Sequence, residues 1–243
     1  MAEQTPQTNA GPVRRRDRRS KRYRALAGLV QPEKRYEPKE AVALVRKFGG
    51  TKFDQTVNLA LHLAVDPKKA DQNIRGSISL PHGIGQSRKV VVFADGDEAR
   101  IAREAGADEV GAEDLVKKVS DGWTDFDVAI ALPRMMRHVG KLGKVLGPQG
   151  KMPSPKSGTV TDDLTTAVRE FKAGKIEYRA DAQGNVHAPI GKVSFGEDAL
   201  AENLAAFIDH LVASRPSSVK GNFIRNAAIS ATMSPGILLQ VSA

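Results

Sequence analysis

The chain has 243 residues, 40% of them apolar and 5% aromatic, enough for one large domain or two small ones around a mostly aliphatic core. It has no cysteine, which excludes disulfides, thiolate metal sites, iron–sulfur clusters and cysteine nucleophiles, and no apolar run near the roughly 18 residues of a membrane span or of a secretory segment at its polar N-terminus. The formal net charge is +9, which points to a polyanionic partner.

That charge is unevenly placed. Val13 to Arg24 holds eight Arg or Lys against one Asp, a net of +7 that leaves only +2 for the rest of the chain. Residues 1–20 therefore read as a disordered basic arm, its first part polar and aperiodic. Arg14, Arg15, Arg16, Arg18 and Arg19 repel one another, and the stretch through Arg22 is expected to stay unfolded until it meets an anion. Such an arm could lie on RNA phosphates or serve as a solvated tail.

Pro38 starts a helix with an apolar face of Val42, Leu44, Val45 and Phe48, and Gly49-Gly50 stops it. A strand follows in which Val57, Leu59, Leu61, Leu63 and Val65 alternate with Asn58, Ala60, His62 and Ala64. Period two leaves one face buried and the other available. Ile74 to Leu80 reads as the next strand, closed by Pro81-His82-Gly83. The texture then changes, because Val90 to Ala94 is a continuous apolar run, as in a strand covered on both faces. A helix over Glu98–Ala105, a short strand near Glu109-Val110, a helix over Glu113–Val119 and a strand over Val128–Leu132 predict a parallel sheet. Past Gly158 come a helix over Leu164–Lys172, a strand over Ile176–Arg179 and a second one through Val186. An amphipathic helix follows, marked by Leu200, Leu204, Phe207, Ile208 and Leu211. Two last strands, Phe223–Thr232 and Ile237–Val241, are joined by a turn at Ser234-Pro235-Gly236. The predicted architecture is a split α+β domain from both chain ends (21–83 plus 174–243) with an α/β domain inserted (84–173), Gly83 and Gly158 lying in the hinge neighbourhoods.

An enzyme reading finds little support. Gly83-Ile84-Gly85 precedes a strand, whereas a dinucleotide fingerprint needs its glycines after one. The Gly140–Lys151 segment lacks phosphate-loop spacing, with Met152 where a magnesium-binding Ser or Thr belongs. The five histidines fall at no metal-ligand spacing, and no cofactor or metal is expected. A nucleotide-using α/β enzyme is kept only as the alternative.

Three segments are built for binding. Pro133 to Lys156 has six Lys or Arg and no acid. Within it Arg134, Arg137, Lys141 and Lys144 share one face of a helix, opposite Met135, Met136, Val139 and Leu142. This face could track phosphates or simply be solvated. Phe53 lies among polar neighbours in Thr51–Thr56, either to stack on RNA or to close the core at a strand edge. Ser230–Gly236 reads as a hairpin turn whose Thr232 and Met233 could meet a ribose edge.

Several motifs in one order give a resemblance over about Lys21 to Leu239: Lys21-Arg22-Tyr23, Lys52–Val57, Asp71–Gly76, Leu80–Gly83, Ala105–Asp108, Leu146–Pro148, Met152–Lys156, Gly158–Val160, His187–Lys192 and Thr232–Pro235. The chain resembles the bacterial large-subunit ribosomal protein one family, the stalk protein beside the tRNA exit site. The resemblance implies a non-enzymatic protein of the cytoplasmic ribosome, a monomer when off it. It further implies a terminal domain that grips a bent junction of large-subunit rRNA, contact with exit-site tRNA linked to its release, and repression through the protein's own operon mRNA. Carried over, the RNA-binding residues are Lys52, Phe53 and Thr56 with Thr232, Met233 and Ser234. Two departures stand out. Ser234 replaces the usual Gly, which would matter if the position needed a close backbone approach to RNA or a positive φ, and the basic N-terminal arm is longer and more basic than usual.

Overall fold

The computed structural model describes residues 19–219 and 221–241, and Arg14, Arg15, Arg16 and Arg18 lie outside them. The fold is mixed α/β, built around two separate apolar cores.

The first core belongs to both ends of the chain. Strands β1 (Thr56–Leu63), β7 (Asn185–Lys192), β8 (Ile224–Ala231) and β9 (Ile237–Leu239) form an antiparallel sheet in the order β7-β1-β8-β9. Helices α2 (Pro38–Lys47) and α8 (Glu197–Ala213) pack together and against this sheet. The period-two pattern does what it predicts: Val57, Leu59, Leu61 and Leu63 are buried, while Asn58 is exposed and His62 half-exposed. Val65 falls just past the strand. From the helices, Val42, Val45, Leu200, Leu204, Phe207 and Leu211 fill the space above the sheet. Neither helix covers the opposite face, which keeps its polar side chains in water. A two-stranded ribbon of β2 (Arg75–Ile78) and β6 (Ile176–Arg179) continues this core through Ile78, Ile176 and Tyr178.

The basic stretch does not stay unfolded as far as its charge suggests. Lys21, Arg22 and Arg24 lie in helix α1 (Lys21–Gly28). The Ser20 hydroxyl caps it by accepting from Tyr23 N at 3.2 Å. Leu26 packs on the first core and Arg22 donates to the Phe48 carbonyl at 3.3 Å, so local capping and tertiary contacts outweigh the repulsion.

The second core lies within the middle of the chain. Strands β3 (Val90–Phe93), β4 (Glu109–Gly111) and β5 (Val128–Ala131) form a parallel sheet in the order β4-β3-β5. Every residue of β3 and β5 is buried. Helices α3 (Gly96–Glu104), α4 (Glu113–Ser120) and α7 (Leu164–Ala173) surround the sheet, as a continuous apolar strand demands. The basic segment is not one helix. It runs as successive single turns: a 3₁₀ turn at Pro133–Met135, α5 (Met136–Val139), a 3₁₀ turn at Gly140–Leu142 and α6 (Gly143–Leu146). Gly140 and Gly143 stand where the turns change pitch. At the crossing between the two cores, Gly83 has φ +61° and packs so closely that a Cβ would come 2.5 Å from the Ala173 carbonyl oxygen.

Candidate nucleic-acid interface

The start of β1, the end of β7 and the end of β8 converge at one end of the open sheet face. There the Lys52–Thr56 segment meets the Thr232–Ser234 turn, although the two are far apart in sequence. The Thr56 amide donates to Thr232 Oγ1 at 3.2 Å. The Thr232 amide and hydroxyl both donate to the Thr56 carbonyl, at 3.0 Å and 3.2 Å. This reciprocal clasp fixes the relative position of the two segments. The 51–55 loop is tied down separately: the Asp54 carboxylate accepts from Ser194 N at 3.2 Å and from its hydroxyl at 2.7 Å, and Val193 N donates to the Gln55 carbonyl at 2.9 Å.

On this anchored base two large apolar side chains face water. Phe53 is 49% exposed and Met233 is 70% exposed. A phenylalanine held that far out does not close the core, so the edge-of-core alternative for Phe53 is set aside; Lys52 beside it is also exposed. Burying such groups only when a partner arrives is a familiar use of exposed aromatic and thioether side chains.

The turn carries a local cost. Met233 has φ 60°, the only non-glycine in the left-handed region among the described residues. Such a residue costs on the order of 1–3 kcal/mol and persists only where its surroundings impose it. Here the imposition comes from Ser234. Its hydroxyl accepts from Ala231 N at 2.9 Å and donates to the Ala231 carbonyl at 2.7 Å, while its amide donates to the same carbonyl at 3.0 Å. Position 234 itself does not have a positive φ, so the concern that serine is strained there falls away. Beneath the clasp Gln55 is 2% exposed, and its side-chain Nε2 and Oε1 have no partner among the described residues. Strained and unsatisfied groups of this kind concentrate at functional sites.

The surrounding electrostatics favour an anion. None of the four strands β1, β7, β8 and β9 contains an Asp or Glu. The open face presents Asn58, His62, His187, Asn226 and Ser230; His62 Nδ1 lies 2.8 Å from Asn185 Oδ1, and Arg35 donates to Asn226 Oδ1 at 3.2 Å. Lys192 donates to Thr56 Oγ1 at 2.8 Å. No spacing pattern along the chain announces this last pairing. Arg19, the last arginine of the basic arm, lies over the Tyr23 ring at 5.0 Å and lines a depression with Pro235 and Gly236.

The second basic surface is separate. Arg134, Arg137, Lys141 and Lys144 are all exposed, with Met135, Val139, Leu142 and Leu146 buried behind them. The two-faced pattern survives the broken helix. Arg134, however, is engaged by Asp95 at 2.7 Å and by Glu98, so its guanidinium is already neutralised. The ends of the parallel strands do not suit a nucleotide either. Asp97 and Glu98 occupy the first turn of α3, and Glu113 and Asp114 that of α4, where a phosphate would need the helix amides unopposed. Among the described residues no cluster of His, Asp or Glu could hold a metal ion.

Comparison with known proteins decides what this surface belongs to. Residues 45–235 match the model of the ribosomal protein L1p/L10e family. The chain belongs to that family. It is also 53% identical over 220 residues, 90% of its own length and 95% of the relative's, to the large ribosomal subunit protein uL1 of Cutibacterium acnes (strain DSM 16379 / KPA171202). Membership makes the chain a ribosomal protein, a non-enzymatic component of the cytoplasmic ribosome. Among the described residues no helix is long and apolar enough to cross a membrane.

Proposed function

We propose that this protein is a structural constituent of the large ribosomal subunit that grips the stalk region of large-subunit rRNA at the Thr56–Thr232 clasp. One observation carries the reading: two hydrogen-bonded segments, locked to each other by backbone and hydroxyl, hold Phe53 and Met233 out to solvent beside a carboxylate-free sheet. Lys52, Phe53, Thr56, Thr232, Met233 and Ser234 form this surface. Phe53 and Met233 stack or pack on exposed bases and riboses, while the rigid clasp sets the spacing between them. In a body that is nearly neutral, placed groups of this kind give shape-specific recognition, and the arm of Arg14, Arg15, Arg16, Arg18 and Arg19 adds nonspecific phosphate contacts.

The division of labour follows the two cores. Residues 21–83 with 174–243 form the RNA-binding domain, and 84–173 the inserted domain, whose Arg137, Lys141 and Lys144 contact exit-site tRNA and assist its release. The same clasp, offered an equivalent fold in the protein's own operon mRNA, makes it a translational repressor. Off the ribosome the chain is a monomer.

The test is binding of the purified chain to the stalk rRNA fragment, with a scrambled RNA of equal length as competitor, across a salt series. Tight binding that resists the competitor and survives moderate salt is expected. Binding that ignores sequence and collapses with salt would leave only the arginine arm at work and overturn the proposed site.

A further inference from the structure

The motif His187–Lys192 is prominent in the sequence, yet the clasp does not account for it. We infer that Lys192 is a phosphate-binding residue of the RNA surface, delivered there by a bulge in β7. The inference rests on the proposed RNA site and adds a residue to it.

Strand register decides where this lysine points. Along β7, Asn185, His187 and Pro189 pair with His62, Ala60 and Asn58 and lie on the open face, whereas Val186, Ala188 and Ile190 are buried. Continued without interruption, that alternation would set Gly191 opposite Thr56 and turn Lys192 to the core side, opposite Gln55. A bulge intervenes. The pairing shifts between Val57 and Asn58, so that Gly191 faces Val57 and Lys192 faces Thr56. One extra residue thus moves a lysine from the side where its charge would be buried to the side where the clasp lies. Gly191 makes the bulge workable: it has φ +153°, and a Cβ there would meet Leu200 Cδ2 at 2.8 Å and Phe195 Cδ2 at 3.0 Å. No larger residue fits that position without displacing α8 or Phe195.

The ammonium that results is well placed and electrically unpaired. Lys192 Nζ donates to Thr56 Oγ1 at 2.8 Å, and among the described residues it has no carboxylate partner. The nearest acid on the 51–55 loop, Asp54, is taken up by Ser194. A lysine ammonium has three donors, and the threonine hydroxyl uses one, which leaves two for phosphate oxygens. Lys192 is also half-buried, so less of its side-chain freedom remains to be lost on binding than for a free surface lysine. Lys52, next to Phe53 in sequence, is exposed on the same loop.

The experiment uses the full chain and the stalk rRNA fragment. Lys192→Met keeps the aliphatic stem and removes the charge; Lys192→Arg keeps the charge. If Lys192 holds a phosphate, Lys192→Met weakens binding several-fold at moderate salt. It also reduces the slope of log K against log salt by about 0.7–0.9, the value for one phosphate no longer neutralised, and Lys192→Arg restores that slope. A lysine that only pins Thr56 leaves the salt slope unchanged whatever happens to affinity, and that result overturns the inference. Should Lys192→Met fail to fold, amine acetylation of the native chain decides: Lys192 is protected by stalk RNA and not by scrambled RNA, or it is as reactive in the complex as free and the inference fails. The proposed RNA site fails differently, by loss of all preference for stalk RNA over the competitor in the unmodified chain.

Discussion

The two larger sheets of this protein are built on opposite terms. The antiparallel sheet from the chain ends is covered on one face only, and its other face carries asparagine, histidine and serine with no carboxylate. The parallel sheet of the middle segment is buried throughout β3 and β5, and only its edge strand β4 is partly open to solvent. A half-covered sheet offers a broad, stiff surface whose side chains are fixed by strand register, which suits reading the shape of a folded RNA. A fully covered sheet spends its residues on packing, and any binding it does must come from the helical rim. That rim is basic at Arg137, Lys141 and Lys144, but at Arg134 it is neutralised by its own Asp95 and Glu98.

Mutation separates the two. The largest effect on stability is expected in the covered sheet. Ile130→Ala removes a fully buried side chain of the second core and should cost about 2–5 kcal/mol in chemical denaturation. The protein that remains folded should bind stalk RNA normally, because the clasp belongs to the other core. Equal losses of stability and RNA affinity would mean that the two cores act as one. Thr232→Ala should do the reverse. It removes the hydroxyl that serves both the amide and the carbonyl of Thr56. Loss of that positioning should weaken RNA binding by about 10- to 100-fold, or roughly 1.4–2.8 kcal/mol, with a smaller change in melting temperature. Unchanged affinity would remove the clasp from the interface.

The same contrast explains how much was legible in the sequence. Alternation along Val57–Leu63 and the unbroken run Val90–Ala94 announced one half-buried and one buried sheet, because period-two patterning and its absence are local signals. Helix α1 was hidden beneath an excess of charge; what stabilises it is a serine cap and a hydrogen bond to Phe48, which lies 26 residues away. At the candidate site, the segments were visible as motifs, and only the family resemblance, not any local pattern, implied that they meet. Composition could not distinguish an exposed Phe53 from a buried one, since the difference lies in the Asp54–Ser194 and Thr56–Thr232 ties that hold the loop. Lys192 was harder still: its direction depends on a one-residue bulge that leaves no periodic trace until the partner strand is known.

A smaller effect is expected at the arm. Deleting residues 1–19 removes five arginines. Stalk RNA should then bind with a flatter salt dependence, by about 0.7–0.9 for each phosphate the arm had neutralised, yet keep its preference over scrambled RNA. An unchanged slope would reduce the arm to a solvated tail.

The smallest effect is acid sensitivity, and it touches both regions. In the middle segment Asp163 caps α7 by accepting from Thr166 N at 3.1 Å, and its carboxyl is held below the ordinary value by the side chain and then the backbone amide of Thr166. At the other core Asp181 closes the turn between β6 and β7. It accepts from the Asn185 amide at 2.8 Å and from the Asn185 side chain at 3.0 Å, which lower its carboxyl in the same way. For both, the folded state favours the ionised form. Their contributions are therefore complete above the unfolded carboxylate range near 4 and are lost as pH falls through the lower folded values. Asp163→Asn keeps an acceptor for the cap but cannot titrate, so between pH 5 and pH 2, roughly the span of that range, stability should fall less steeply than in the parent. Asp181→Asn should do the same for the sheet that carries the clasp. If the acid limbs of both variants overlay the parent, neither carboxylate is ionised by preference in the fold, and the acid limit of each core must then be set by other groups.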